Sequence, residues 1–245
     1  MRMSDPDYRE SHLRPGIGES YQASFRDPYR SLFWELEKRV LDRILVECLG
    51  DGDVHHLDFA CGTGRILSHV AGRAHVSVGV DVSASMLAVA KESSERSEIY
   101  QADLTTNDIL EERKFNLITA FRFFPNAQPA LRNDAMRVLV RHLGEGGRLV
   151  FNNHKNLASV KYRLARLRGR GGFKGMSLAE ASELVSKNGL EIQKSYALGF
   201  TPASDRHMII PAALLRWLEG GLSKWPAIKP WGENVIFVCR RAEGG

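Results

Sequence analysis

Cysteine is scarce in this sequence: Cys48, Cys61 and Cys239 are its only three, scattered and without metal or redox spacing. An odd, dispersed set argues against a disulfide framework and fits a reducing, cytoplasmic setting. Long apolar runs are missing as well. None approaches the roughly 20 residues of a spanning helix, so no transmembrane segment is expected. The opening stretch, "MRMSDPDYRESHLRPG", has no apolar centre and does not read as a secretory leader. No carboxylate/His cluster has ligand spacing, so no metal is expected. Internal repeats and low-complexity tracts are also absent. What is there is ordinary globular composition, 43% hydrophobic and 26% charged over 245 residues, enough for one large domain.

The net charge of +5 is local. Lys155, Lys161, Arg163, Arg166, Arg168, Arg170 and Lys174 carry seven cations with no acid between them, and the rest of the chain sums to −2. Along the chain, residues 1–30 are polar and expected to be loosely ordered apart from "YQASF". Ser31 is placed to cap a helix running to about Leu49. From there strands alternate with helices through residue 190: "VHHLDFA", "HVSVGVDV", "EIYQADL", "FNLITAF" and "RLVFNN" read as strands. "EGG" before the last of these reads as a turn. Ser83 is placed to cap one intervening helix, Pro129 to open another, and Ser177 with Glu180 to form a capping box. "EIQKSYALGF" and "NVIFVCRR" close the series around an insertion at 201–233. The alternation predicts an α/β fold with a parallel sheet and helices on both faces. We divide the single domain into a segment and helix at 1–50, a core at 51–153, a basic lid-like segment at 154–176 and a C-terminal part at 177–245.

"DFACGTG", from Asp58 to Gly64, follows the first strand of the series, where ligands sit in open α/β sheets. Gly62 and Gly64 allow a tight turn and close approach of backbone to ligand, and Ala60 and Cys61 are small. A dinucleotide fingerprint needs a small residue where Leu67 stands, and a triphosphate loop needs a Gly-Lys-Ser/Thr ending that is absent. The competing ligand carries an adenosine and a charged amino-acid tail. Asp58 at the first strand end would meet an ammonium. Asp81 at the second would accept two ribose hydroxyls, and Asp103 at the third would accept an adenine amino hydrogen. One such acid is unremarkable as a solvated strand end; three in register with the glycine turn point to a site.

"LDFACGTGRIL", "VGVDVSASMLAVAK", "QADL", "FNLITAF" and "LGEGGRLVF" resemble, in order and spacing, the motifs of class I S-adenosylmethionine-dependent methyltransferases over residues 54–152. The resemblance implies a doubly wound, Rossmann-like, mostly parallel seven-stranded sheet with an antiparallel last strand. It implies S-adenosylmethionine as cofactor and S-adenosylhomocysteine as product. It makes the glycine turn the cofactor loop and Asp81 the ribose ligand, with Asp103 and Leu104 flanking the adenine and Val82 and Met86 beside them. Ala60 stands where the commonest motif has a glycine. In similar enzymes the N-terminal segment folds over the cofactor, which singles out Tyr21. The overall layout is similar to small-molecule methyltransferases of bacterial pathways.

A sulfonium methyl is already activated, so the enzyme chiefly aligns a nucleophile and excludes water. The fourth and fifth strand ends, "AFRFFPN" and "FNNHKN", should supply the groups beside it. Of Phe121, Phe123 and Phe124, at least two are expected in the core, and Phe121 is the candidate to wall the sulfonium or stack on substrate. Arg122 would hold an anion, or else pair with a nearby acid. His154 is the candidate general base, against the reading of a structural histidine. The expected reaction is methyl transfer to a small or carrier-linked, anionic acceptor, on oxygen before nitrogen. The basic segment leaves three readings beside that of a solvated face: a lid over an anionic substrate, a peripheral membrane contact, or an RNA-binding strip. An RNA methyltransferase and a non-catalytic cofactor-binding regulator are the alternatives. Oligomeric state is not legible.

Overall fold

The computed structural model describes residues 8–50, 52–201, 211–223 and 225–243; residues 202–210 and 224 of the expected insertion lie outside them. The 3-10 turn at Tyr8–His12 leads to α1 (Ile17–Ser24) and α2 (Pro28–Leu49). The alternating series follows: β1 (His55–Phe59), α3 (Arg65–Ala71), β2 (Val76–Asp81), α4 (Ala84–Ser93), β3 (Glu98–Gln101), β4 (Phe115–Ala120), α5 (Pro129–His142) and β5 (Leu143–Asn153). Then come α6 (Val160–Leu167), α7 (Leu178–Lys187), β6 (Leu190–Leu198), α8 (Ala212–Leu222), a 3-10 turn at Pro226–Trp231, and β7 (Asn234–Arg241).

The seven strands form one sheet in the order β3-β2-β1-β4-β5-β7-β6. β1 to β5 pair in parallel, and β7 lies antiparallel between β5 and β6. Strand order reverses between β1 and β4, so the glycine turn after β1 stands at the switch point. Two apolar layers cover the sheet. One joins α5 and α7 to Phe115, Ile118, Leu149 and Phe237. The other joins α2, α3 and Leu215 of α8 to Leu117, Val150, Ile236 and Val238.

Local signals set most helix ends. Ser83 accepts from Met86 N–H, and Ser177 with Glu180 forms the expected capping box. α2 begins three residues before the expected Ser31. Asp27 caps it by accepting from the N–H groups of Tyr29 and Arg30, and Pro28 takes the first position. The expectation of a loose N-terminus also needs correction, since Tyr8–His12 and Ile17–Ser24 are helical. "EGG" lies inside β5, where the pairing with β4 shifts register between Phe115 and Leu117.

Leu67, which stands where a dinucleotide fingerprint has a small residue, packs inward from α3. Leu67 is fully buried, and a side chain at Gly79 of β2 would stand 2.6 Å from its Cδ2. The small residue that lets helix and sheet approach is on the neighbouring strand. Among the described residues no helix is long and apolar enough to cross a membrane.

Candidate active site

β1 ends in a turn that takes the left-handed region three times in five residues: Ala60 (φ 53°), Gly62 (φ 55°) and Gly64 (φ 76°). Glycine adopts this freely, whereas alanine there is strained. The strain at Ala60 is the physical reason a glycine is common at that position. Cys61 N–H donates to Val80 O (3.1 Å), which holds the turn to β2. Gly62 N–H donates to Asp81 Oδ2 (2.8 Å), and Ser83 N–H donates to Asp81 Oδ1 (2.9 Å). Asp81 thereby clamps the loops after β1 and β2 around one cavity. The cavity holds about 1020 Å³ of empty space, part of it open to solvent.

Asp58, Ala60, Cys61, Gly62, Asp81, Val82, Met86, Asp103, Leu104, Phe121, Tyr21 and Arg122 all line it. Gly64 and His154 do not. Gly64 instead allows the turn to pack against α4, since a Cβ there would stand 3.0 Å from Ala90 Cβ. A Cβ at Gly62 would meet nothing within 4 Å. Tyr21 reaches the cavity on α1, which presses on α4 so tightly that a Cβ at Gly18 would lie 2.2 Å from Ser85 O.

Asp58 is fully buried, accepting from Thr119 Oγ1 (2.7 Å) and Leu67 N–H (3.1 Å). Burial pushes its carboxyl up to about 7, against the pull of those two hydrogen bonds, and neighbouring Asp81 adds to the rise. Behind Asp58 stands His56, which received no role from the sequence. Its Nε2 lies 2.7 Å from Thr119 Oγ1 and its Nδ1 lies 3.1 Å from Ser77 Oγ. Thr119 gives its proton to Asp58, so His56 Nε2–H donates to Thr119 and Nδ1 accepts from Ser77. Burial lowers His56 to about 3 and keeps it neutral.

Arg122 leaves β4 in the left-handed region (φ 61°). Its N–H donates to Asn152 Oδ1 (2.6 Å), and its guanidinium meets Glu37 Oε1 at 3.2 Å. Burial alone would lower it, but Glu37, Tyr21 and Glu233 outweigh that and hold it above the ordinary arginine value. Glu37 is 1% exposed and also accepts from Asn234 Nδ2 (2.8 Å). Arg65 is the second cation of the cavity wall. It lies over the rings of Phe25 (3.2 Å) and Trp34 (4.3 Å), 4.0 Å from Glu37, and its buried Nη2 has no hydrogen-bond partner. Burial lowers it to about 10, against the pull of Glu37.

His154 follows β5, and its Nδ1 is buried without a partner. Burial, with the charges of Arg122, Lys155 and Lys161, holds the ring well below the usual histidine value and neutral. Asp103 accepts from Thr105 N–H (2.9 Å) and Thr105 Oγ1 (2.6 Å), and pairs with Arg9 Nε (2.6 Å). Tyr8 lines the cavity beside Arg9, with its hydroxyl 3.3 Å from Arg122 O.

Sequence reasoning missed Tyr8, Arg9, Glu37 and Arg65. Glu37 had a readable signal: it lies four residues from both Phe33 and Leu41 on the apolar stripe of α2. Tyr8 and Arg9 had none, because nothing local ties them to β3.

The cavity fits a ligand with an amino-acid end. A buried carboxyl whose hydrogen-bond partners are neutral and a buried guanidinium nitrogen without a partner complement an ammonium and a carboxylate. The open face at Gly62 gives such a ligand contact with backbone.

Residues 57–147 match the family model described as a methyltransferase domain. Among solved structures, a TehB-like SAM-dependent methyltransferase from Corynebacterium glutamicum is 18% identical, with 94% of this chain and 100% of that one covered (TM-score 0.60). Magnesium protoporphyrin IX methyltransferase from Synechocystis, with bound S-adenosylhomocysteine, is 12% identical over 92% and 98% (TM-score 0.61). A possible histamine N-methyltransferase from Thermotoga maritima is 16% identical over 91% and 95% (TM-score 0.61). At these identities the likeness establishes the fold. A search of curated proteins finds no match.

Proposed function

We propose that this chain, a class I S-adenosylmethionine-dependent methyltransferase, methylates a small or carrier-linked anionic acceptor, on oxygen before nitrogen. The observation that carries the reading is the single cavity in which Asp58, the glycine turn, Asp81 and Asp103 meet at the switch point of the sheet. When bound, the cofactor supplies an activated methyl group, which an acceptor takes by in-line displacement. Asp81 would hold the ribose and Leu104, Val82 and Met86 would enclose the adenine. Asp58, buried without a cation, would meet the amino group, and Arg65, whose Nη2 lacks a hydrogen bond, the carboxylate. Asp103, paired with Arg9, would flank the adenine as the wall of that end of the cavity.

At the opposite end, Phe121 and Tyr21 would exclude water, and Arg122 would orient the acceptor's anion. Glu37 and Asn152 pre-set Arg122, which lowers the entropy cost of ordering it. His154 does not line this cavity and is held well below the usual histidine range, so we assign it no proton transfer, and an acceptor amine or hydroxyl would lose its proton to solvent.

Calorimetric titration with S-adenosylmethionine, S-adenosylhomocysteine and NAD tests the reading. The first two should bind and NAD should not. Asp81→Ala removes both the ribose acceptor and the clamp on Gly62, so it should weaken S-adenosylhomocysteine binding at least about 10-fold. Binding of NAD alone would sink the assignment.

A further inference from the structure

Five of the nine exposed large apolar side chains among the described residues belong to the two attachments late in the chain: Leu167, Leu214, Trp217, Trp225 and Trp231. Leu167 is 84% exposed at the end of α6, and Trp225 is 67% exposed. One attachment follows β5, and the described residues of the other, 211–223 and 225–233, lie between the end of β6 and the start of β7. Since β6 runs parallel to β5, both stand at the carboxyl edge of the sheet, the edge that holds the cavity.

Residues 156–163 of the first attachment are joined to residues 230–233 of the second, whereas α8, with Leu214 and Trp217, packs on α2. Asn156 Nδ2 donates to Pro230 O and Gly232 O, both at 2.8 Å. Lys161 pairs with Glu233 at 2.6 Å, and the Arg163 guanidinium lies 5.7 Å from the Trp231 ring. Around them Arg163, Arg166, Arg168 and Arg170 are exposed. Arg163 and Arg166 bond to the carbonyls of Ala158 and Leu157 rather than to acids, and residues 155–174 contain no acid.

We propose that these attachments form a docking face for an anionic lipid bilayer, on the same edge as the cavity. The charge and the apolar groups argue for this together. Arginine meets anionic headgroups, tryptophan favours the boundary between headgroup and hydrocarbon, and exposed leucine enters the acyl layer. A nucleic-acid surface would use the arginines and the tryptophan faces, but it would leave Leu167 among those arginines with nothing to bury against. α6 has eight residues, too few to span, so the contact is peripheral.

The proposal goes beyond methyl transfer and does not rest on it. It is tested by co-flotation of the full chain with vesicles of phosphatidylcholine alone and mixed with phosphatidylglycerol. Flotation is expected only with the anionic vesicles and should fall as salt rises. The variant R166E/R168E/R170E should bind at least about 10-fold more weakly. Tryptophan emission should shift to the blue on binding, by less in Trp225→Ser. S-adenosylhomocysteine titration of each variant reports separately on folding and on the cavity, and should be unchanged. Absence of flotation with anionic vesicles would overturn the proposal. So would undiminished flotation of the triple variant, or displacement from vesicles by single-stranded RNA that binds more tightly at the same salt.

Discussion

At the scale of single residues, the cavity keeps two acids that water would normally claim. Asp58 has no cation to offset its burial and stands at about 7. Raising a carboxyl means that the folded protein disfavours its ionised form, so proton loss is pushed toward neutrality. A ligand that brings an ammonium binds the ionised form. The affinity for S-adenosylhomocysteine should therefore rise by up to about 10-fold per pH unit below 7 and level off above it. Calorimetry across that range checks this, and Asp58→Asn should flatten the profile. Glu37 is the opposite case, a buried acid held between Arg122, Asn234 and Arg65. Glu37→Gln removes the buried charge that half-buried Arg122 and Arg65 share, and should cost about 1–3 kcal/mol in denaturant unfolding.

At the scale of elements, α3 and β2 approach closely because Gly79 makes room for Leu67. Gly79→Ala overpacks that contact and should destabilise the protein by roughly 1–3 kcal/mol. Leu67→Ala alone opens a cavity and should cost about 2–5 kcal/mol. The double variant should lose less than the sum of the two, and a double-mutant cycle in urea measures the difference. Elements were legible in the sequence wherever an end signal was local, as at Ser83, Ser177 and Pro129. α2 shows how such a signal misleads: Ser31 is a good capping residue, but Asp27 before Pro28 is a better one. The helices at Tyr8–His12 and α1 were not legible, because their polar sequence carries little periodic signal and packing on α4 and the sheet edge sustains them.

At the scale of the molecule, the N-terminal helices close one side of the cavity through a few long-range contacts: Arg9 to Asp103, Gly18 N–H to Ser85 Oγ and Thr63 Oγ1 to Gln22 Oε1. A ligand held between them and the sheet adds contacts to both. Hydrogen exchange should therefore show added protection across residues 8–25 when S-adenosylhomocysteine is present, and little change in β4, which is already buried. Equal protection throughout would mean that the segment does not close on the ligand.

The antiparallel pairing of β7 was legible only through the family resemblance, but the parallel strands, the glycine turn and the row of acids at the strand ends could be read locally. Those features follow from alternation, turn chemistry and position on a parallel strand, all of which act over a few neighbouring residues. Only the tertiary structure decided which charges meet. Arg122 finds Glu37 across 85 positions and Arg9 finds Asp103 across 94, while Arg65 is left with a bare nitrogen beside them. Such pairings depend on how helices settle on the sheet, and burial then decides whether each group keeps its charge.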